Sequence, residues 1–255
     1  MHTEEEFTRV EQEERQLTDE AIAIMLLILA NTKSNLEKEL RDFYSRYGKD
    51  GVVTYAEARK WVSGNDHRRR LTALLIYVQT NFEELREKLT PEFRRMLEKV
   101  IGKEIEFFDV DSENIADKPL TETWNVDDEN WQDRLANDIA LWCAYILVDI
   151  KQALLKGKRL EDVLAKLDKR FVTMEHLITT LGLSESTAVG SITRRLIFQQ
   201  LGITKYQFYT KPDELRCETC GAMHGLVFPI SAYEVGVTAS PIHPRCRCWE
   251  VPIVD

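Results

Sequence analysis

Apolar residues recur at helical spacing through the first hundred residues of the chain. Leucines and aromatic residues step by four, three and four over residues 36–47, which places them on one face of a helix. A second stripe with the same periodicity runs through residues 71–89. Thr90 and Pro91 then have the form of an N-cap followed by a first-turn proline, so a new helix is predicted to begin there. A helical hairpin or bundle is therefore predicted for residues 1–106.

Helical spacing is lost in the acidic stretch 107–130 and returns at Trp131. Because residues 107–130 are rich in Asp and Glu without helical periodicity, we interpret them as a linker or loop. The apolar stripes that follow predict a helix from Trp131 that ends at Gly157, a second helix over residues 160–171, and a third that stops at Gly202. This second helical run leads into the C-terminal end of the chain.

The pattern changes from helical to alternating in the last fifty residues. Tyr206 and Phe208 alternate with more polar neighbours, which predicts a strand, and residues 226–228 and 249–251 indicate two further short strands. The predicted fold class is α+β, mostly α-helical, with a small β-containing C-terminal domain stapled by cysteine and histidine. The predicted domains are, in chain order, residues 1–106, 107–130 and 131–255, the last with a Cys/His-rich end at 202–255.

Composition and charge narrow the function classes. The chain has 255 residues, of which 44% are hydrophobic, enough to bury a sizeable core. Its longest apolar run, Ala21 to Ala30, has ten residues, so no membrane-spanning segment is predicted. The acidic N-terminus does not resemble a secretory signal, which favours the cytoplasm. The net charge of −9 lies in residues 1–20 (−6) and 107–133 (−8), and the remaining +5 is dispersed, so only weak, salt-dependent DNA contact is expected.

Four of the five cysteines lie in the last forty residues. A Cys-x2-Cys pair is followed, after 22 residues, by His-Pro-Arg-Cys-Arg-Cys. This spacing is typical of a tetrahedral zinc site, because two intervening residues let a tight turn direct both sulfurs at one ion. Five donors compete for four positions, so four thiolates, or three thiolates with the histidine, fit equally well. The candidate ligands are Cys217, Cys220, His243, Cys246 and Cys248, and His224 is a sixth, weaker candidate.

Other chemistry of these cysteines remains open at this point. Disulfides or free thiols would suit a protein that ends up outside a cell, and a redox-active pair would resemble the Cys-x2-Cys of thioredoxin-like enzymes. A catalytic zinc would need a nearby general base, for which Glu218 is the local candidate. We favour structural zinc and predict no catalytic residue. Arg245 and Arg247 are expected to help keep the thiolates charged.

Four short motifs occur in a fixed order at the C-terminal end. They are Gly202–Phe208, Asp213–Cys220, Gly225–Phe228 and Pro241–Cys248. In order and spacing, this set resembles the Mu F-like phage head morphogenesis, or minor head protein, family over roughly residues 125–255. Two positions depart from the family pattern: Leu183-Ser184-Glu185 stands where Arg-Thr-Glu is usual, and His224 stands where an aspartate is common.

The resemblance implies a minor head (capsid) protein of a tailed phage and not an enzyme. Such a protein would be made in the host cytoplasm and located in the virion, in the head interior or near the portal. The implied partners are the portal protein and capsid or scaffold components, and the implied role is docking on the portal with an influence on DNA packaging or ejection. Two alternatives remain open: a nucleic-acid-binding zinc module, with basic residues at His67–Arg70 and Arg194-Arg195, and a thiol oxidoreductase or transferase.

Overall fold

The computed structural model describes residues 3–62, 69–113, 115–125, 128–211 and 213–254. Long helices dominate, and a short sheet follows them, so the predicted mostly helical α+β class is confirmed. The α-helices are α1 (Glu4–Tyr47), α2 (Tyr55–Ala58), α3 (Arg70–Phe108), α4 (Lys118–Thr121), α5 (Trp131–Leu155), α6 (Leu160–Gln200) and α7 (Glu218–Met223). The strands are β1 (Lys205–Thr210), β2 (Val227–Pro229) and β3 (Cys248–Ile253), and a 3-10 turn covers Ile230–Ala232.

The chain divides into two compact units. Unit 1 comprises Met1–Ile24, Pro91–Arg134 and Ile178–Asp255, and unit 2 comprises Met25–Thr90 and Leu135–Leu177. The division of the chain at residues 106 and 130 stays a prediction. Within the described residues, no helix combines the length and the apolar character needed to cross a membrane.

Unit 2 is built from amphipathic helices. The predicted stripe over residues 36–47 contributes Leu36, Leu40 and Phe43 to its core, and α1 ends with this stripe at Tyr47. The hydroxyl of Thr54 accepts a hydrogen bond from the backbone N–H of Glu57 at 3.2 Å, so Thr54 is the N-cap of α2. Helical periodicity was therefore a reliable guide in this unit.

The predicted helix break at Thr90-Pro91 is wrong, because α3 continues through both residues. The hydroxyl of Thr90 donates a hydrogen bond to the carbonyl of Arg86 at 2.8 Å, so it bonds within the helix and does not cap a new one. The apolar stripe also keeps its phase across the proline, since Leu89 and Phe93 are both fully buried. Burial on both sides of Pro91 outweighs the hydrogen bond that the proline removes.

The two helices predicted over residues 160–171 and up to Gly202 are also one helix, α6. Its second half presents polar side chains at heptad-like spacing, steps of four, three, four and three, where an apolar stripe would be expected. We call this set the polar stripe of α6; its members are Thr180, Ser184, Thr187, Ser191 and Arg194. Ser184, Ser191 and Arg194 are buried although they are polar, so the hydrophobic pattern fades while the helix continues.

The sheet in unit 1 is antiparallel, with β1 between β2 and β3. The alternation predicted for β1 is confirmed, because Tyr206 and Phe208 are fully buried between more exposed neighbours. The register pairs Thr210 with Cys248, which brings the start of β3 to the end of β1. Tyr206 joins an apolar core with α6 and Tyr233, whereas Phe208 packs with the cysteines. The sheet therefore supplies one wall of the cysteine cluster.

Candidate metal centre

The first two candidate ligands lie at the start of α7. Cys217 is the N-cap of this helix, and its sulfur accepts a hydrogen bond from the backbone N–H of Cys220 at 3.3 Å. This turn points both sulfurs toward the same side, as the two-residue spacing predicts. Cys220 is buried, whereas Cys217 is partly exposed. The pair thus forms one edge of a possible coordination site.

His243 completes a first group of three donors. Its Nε2 atom lies 3.2 Å from the sulfur of Cys217 and 3.3 Å from the sulfur of Cys220. Its Nδ1 atom lies 2.9 Å from the carbonyl oxygen of Pro244. Because a carbonyl only accepts, Nδ1 must carry the proton, which leaves Nε2 with a lone pair when the imidazole is neutral. A backbone carbonyl that fixes the tautomer in this way is a common accompaniment of metal-binding histidines.

Cys220, Cys246 and Cys248 form a second group of three donors, and Cys220 belongs to both. The donor atoms within each group all lie within 4.8 Å of one another. The sulfurs of Cys220 and Cys246 are 3.8 Å apart, too far for a disulfide. Zinc–sulfur bonds of about 2.3 Å would place two sulfurs of a tetrahedral site about 3.8 Å apart. The donor set can therefore hold a metal ion, which bears out the coarse expectation from the sequence.

Few apolar residues surround the cysteine cluster. Its buried members are Phe208 and three cysteines, with Met223, Phe228 and Ile242 packed at the side. Such a core buries little apolar surface compared with a typical domain core, so it contributes little hydrophobic stabilisation. Three of the four buried residues of this cluster are cysteines.

The thiols have unequal pKa values. A backbone N–H from Cys220 is the main cause that lowers the pKa of Cys217, and a hydrogen bond from Cys248 is the main cause that lowers the pKa of Cys246 to about 6. Burial, together with the nearby Cys246, raises the pKa of Cys220 to about 12. The hydrogen bond to Cys246 likewise raises the pKa of Cys248. Cys217 and Cys246 thus lose their protons more readily than a free thiol, whereas Cys220 and Cys248 would need a nearby cation to become thiolates.

The two arginines beside the cysteines are engaged with other groups. The guanidinium of Arg247 forms a bidentate pair with Asp213 at 2.6 and 2.7 Å. The Nε atom of Arg245 donates to the hydroxyl of Thr180 at 2.9 Å. These contacts attach the cysteine-bearing loop to its neighbours, and the expected stabilisation of thiolates by the two arginines stays a prediction.

Sequence reasoning missed the contribution of α6. The hydroxyl of Ser184 accepts a hydrogen bond from the backbone N–H of Arg245 at 3.1 Å, and the hydroxyl of Thr187 lies 3.2 Å from the carbonyl oxygen of Cys246. The signal that could have revealed these contacts is the heptad-like recurrence of hydroxyl residues in α6, since small polar side chains at that spacing mark a helix face that bonds a neighbouring backbone.

The remaining sequence candidates do not join the cluster. His224 accepts a hydrogen bond at Nδ1 from the backbone N–H of Thr210 at 3.2 Å, and its ring packs edge-on against Tyr209. It is absent from both donor groups found among the described residues. Glu218, the candidate general base, lies on the exposed surface of α7. The cluster accordingly contains the five main candidates.

A second polar cluster lies deep in unit 1. Arg194, which is 5% exposed, forms ion pairs with Glu14 of α1 at 3.1 Å, with Glu104 of α3 and with Glu250 of β3 at 3.5 Å. The hydroxyl of Tyr233 donates to Glu250 at 3.0 Å. Burial, together with the adjacent Glu104, raises the pKa of Glu14 well above its usual value. This arginine therefore balances buried carboxylates.

Glu185 belongs to Leu183-Ser184-Glu185, the segment that departs from the family pattern, and its carboxylate also has polar partners. It is 2% exposed, forms an ion pair with Arg134 of α5, and accepts a hydrogen bond from the indole N–H of Trp124 at 3.0 Å. An arginine from a different helix thus pairs with this glutamate, although the motif itself has none.

Comparison with known families gives a match over the region that contains the cysteine cluster. Residues 144–251 match the family model described as Phage Mu protein F like protein. The predicted resemblance is confirmed for this Mu F-like segment, which is a little less than half of the chain. No curated protein and no solved structure matches the chain.

The Mu F-like segment spans the second half of α5, all of α6, the sheet up to Val251 and all five candidate ligands. The family match suggests a protein of phage head morphogenesis, and it is consistent with a role other than catalysis.

Proposed function

We propose that this chain is a minor head protein of a tailed phage that assists head morphogenesis by docking on the portal, within the virion. The family match over residues 144–251 is the observation that carries this proposal. Its proposed partners are the portal protein and capsid or scaffold components, and an influence on DNA packaging or ejection belongs to the same proposal. The helices before residue 144 lie outside the match, so they are the part in which an individual docking specificity would reside.

We further propose that the cysteine cluster holds one structural zinc ion through Cys217, Cys220, His243 and Cys246. Cys217, Cys220 and His243 form one donor group, and the 3.8 Å separation of the Cys220 and Cys246 sulfurs suits a tetrahedral edge that adds the fourth ligand. Cys248 would then support Cys246 through its thiol hydrogen bond. Four protein ligands close the coordination sphere and leave no position for a substrate, as in structural zinc sites.

A structural role agrees with the size of the local core. The cluster has few apolar neighbours, and the two halves of the donor set are separated by 22 residues of chain. Zinc in small structural motifs contributes roughly 10–16 kcal/mol of apparent binding free energy, enough to fix such a segment. The enzyme alternatives find less support, since the proposed general base, Glu218, is exposed on the opposite side of its short helix from the buried Cys220.

The basic residues give little support to a nucleic-acid module. His67 and Arg68 lie outside the described residues. Arg70 pairs with Glu57 at 3.1 Å, Arg194 is buried among three glutamates, and Arg195 pairs with Glu122 at 2.6 Å. A DNA-binding surface requires guanidinium groups that can reach phosphates. We therefore keep DNA contact as a weak, salt-dependent component of the proposal.

The docking proposal is tested by co-purification. The full chain and the portal protein of the same genome are co-expressed and passed over a size-exclusion column, with the major capsid protein as a parallel bait. We expect co-elution with the portal that persists at 0.5 M salt. Failure to bind the portal, combined with tight binding of duplex DNA at about 0.15 M salt, would replace this proposal with the nucleic-acid module.

The zinc proposal is tested by metal analysis of the purified full chain. We expect one zinc per chain, lost in Cys217→Ser and Cys246→Ser and kept in Cys248→Ser. Cys143→Ser is the matched control, because Cys143 lies in α5, away from both donor groups. If Cys248→Ser lost the metal and Cys246→Ser retained it, the ligand set would be wrong, and absence of metal from the wild type would refute the zinc site itself.

A further inference from the structure

The loop that carries two of the proposed ligands has an unfavourable backbone. It runs from His243 to Cys246, and its turn is closed by a hydrogen bond from the Cys246 N–H to the His243 carbonyl at 3.1 Å. Within it, Arg245 has a φ of 60°, in the left-handed region that non-glycine residues rarely adopt. Contacts from outside the loop are therefore needed to favour this conformation.

The outside contacts come from α6. The hydroxyl of Ser184 accepts a hydrogen bond from the backbone N–H of the left-handed Arg245 at 3.1 Å, while its own proton goes to the carbonyl of Thr180 at 2.8 Å. Each polar atom of Ser184 thus has a defined partner. The side chain of Arg245 adds a second link, from its Nε atom to the hydroxyl of Thr180 at 2.9 Å.

A third hydroxyl of the same helix face reaches the ligand residue itself. The hydroxyl of Thr187 lies 3.2 Å from the carbonyl oxygen of Cys246 and 2.9 Å from the carbonyl oxygen of Leu183, so its single proton is shared between two acceptors. Because residues 180, 184 and 187 follow steps of four and three, they lie on one face of α6. This face contacts successive residues of the loop.

We propose that Ser184 is a positioning residue for metal binding, assisted by Thr180 and Thr187, so that α6 belongs to the metal site although it supplies no ligand. The inference rests on the proposed metal centre. The hydroxyls hold the loop in the conformation that directs His243 and Cys246 at the ion, and partners of this kind typically change metal affinity by about 10- to 100-fold.

The inference is tested by zinc affinity in Ser184→Ala, measured by competition with a chromophoric chelator. We expect an affinity about 10-fold weaker than wild type with one zinc still bound. Ser186→Ala is the matched control: Ser186 lies on the same turn and its buried hydroxyl bonds the carbonyl of Leu183 in its own helix at 3.1 Å. The control should retain wild-type affinity.

A second pair of variants separates positioning from general destabilisation. Thr187→Val should weaken zinc binding, whereas Thr187→Ser, which keeps a hydroxyl, should bind zinc with wild-type affinity. Thr173→Val changes an exposed threonine whose hydroxyl bonds within α6, and it should have no effect on zinc binding. Co²⁺ substitution should give an altered ligand-field spectrum in Ser184→Ala but not in Ser186→Ala. Wild-type affinity and spectrum in Ser184→Ala would refute the inference while leaving the zinc site intact, and a wild type without zinc would refute both.

Discussion

The two units differ in what they bury. In unit 2 the buried side chains are apolar or form hydrogen bonds within their own helix, and the ion pairs lie toward the surface. Unit 1 also buries charged side chains. Among the described residues, every buried charged side chain belongs to unit 1: Glu14, Glu104, Glu185, Arg194 and Glu250. The buried polar groups of unit 2, Thr32 and Asn81, bond to carbonyls of their own helices. Helical stripes alone can hold unit 2 together, while unit 1 also requires particular partners to meet.

This difference has consequences for how each unit responds to damage. A helix stripe loses stability in proportion to the apolar surface removed, and neighbouring side chains can adjust. A buried ion cluster or a metal site loses much more when one member is removed, since the rest are left without compensation. Unit 1 should therefore be the more sensitive unit.

Removal of the proposed zinc ion should have the largest effect. Incubation of the zinc-loaded chain with a strong chelator withdraws roughly 10–16 kcal/mol of apparent binding free energy from the C-terminal part of unit 1. We expect hydrogen exchange to accelerate strongly in peptides from residues 205–254 and to change little in peptides from residues 25–90 of unit 2. Equal acceleration in both units would show that they do not differ in the way proposed.

Loss of the buried arginine should have the next largest effect. Arg194→Met leaves the buried carboxyl groups of Glu14, Glu104 and Glu250 without their cationic partner, so we expect a loss of about 3–5 kcal/mol in the free energy of unfolding, measured by urea denaturation. The matched variant in unit 2 is Arg170→Met on the same helix, which removes a partly exposed pair with Asp149. It should cost about 1 kcal/mol or less. Similar losses in the two variants would remove the contrast between the units.

Glu14 in unit 1 and Asp149 in unit 2 should contribute to the pH dependence of stability with opposite signs. Burial and the neighbouring Glu104 raise the pKa of Glu14 in the folded chain, so its contribution is fully present below its unfolded pKa of about 4.3 and is lost as the pH rises through the folded value. For Asp149, burial acts to raise the pKa, but hydrogen bonds from Arg170 and Lys166 outweigh it, and the pKa is lowered. Its contribution is present above the unfolded pKa and is lost in acid.

Urea denaturation between pH 5 and 9 tests the raised pKa. Glu14→Gln removes the carboxyl whose pKa is raised and leaves a neutral amide in its place, so we expect it to flatten the decline of stability with rising pH and to cost little near pH 5. A constant loss at every pH would mean that Glu14 is ionised in the folded chain and acts as a simple partner of Arg194.

The sequence allowed most of the helices and all three strands to be predicted, because burial of one face leaves a periodic trace. The exceptions have physical causes. Pro91 resembled the first residue of a helix, but the apolar stripe of α3 stays in phase across it. Burial of the apolar side chains on both sides of Pro91 keeps α3 continuous. The second half of α6 looked like a break, because its inner face bonds to other groups through hydroxyls and a guanidinium. Periodicity of apolar residues cannot reveal a face that is polar and buried.

The candidate metal centre could likewise be predicted from the sequence only in part. Spacing predicted that Cys217, Cys220 and the His243–Cys248 segment would converge, since short Cys-x2-Cys turns have a fixed local geometry. Spacing could not select four donors out of five, nor reveal that Ser184 contacts the loop, because those contacts depend on packing between segments about sixty residues apart. Local chemistry was predictable from sequence, and its support by distant residues was not.

The smallest effect is expected at the surface of unit 2, where it provides the baseline for the comparison. Lys33 of α1 and Asp168 of α6 form an ion pair at 2.5 Å, with side chains 29% and 53% exposed. A double-mutant cycle with Lys33→Met and Asp168→Asn, read by urea denaturation, should give a coupling free energy below about 1 kcal/mol that falls further at 0.5 M salt, because water and ions screen an exposed pair. A coupling as large as that around Arg194 would mean that charge, and not apolar periodicity, organises unit 2 as well.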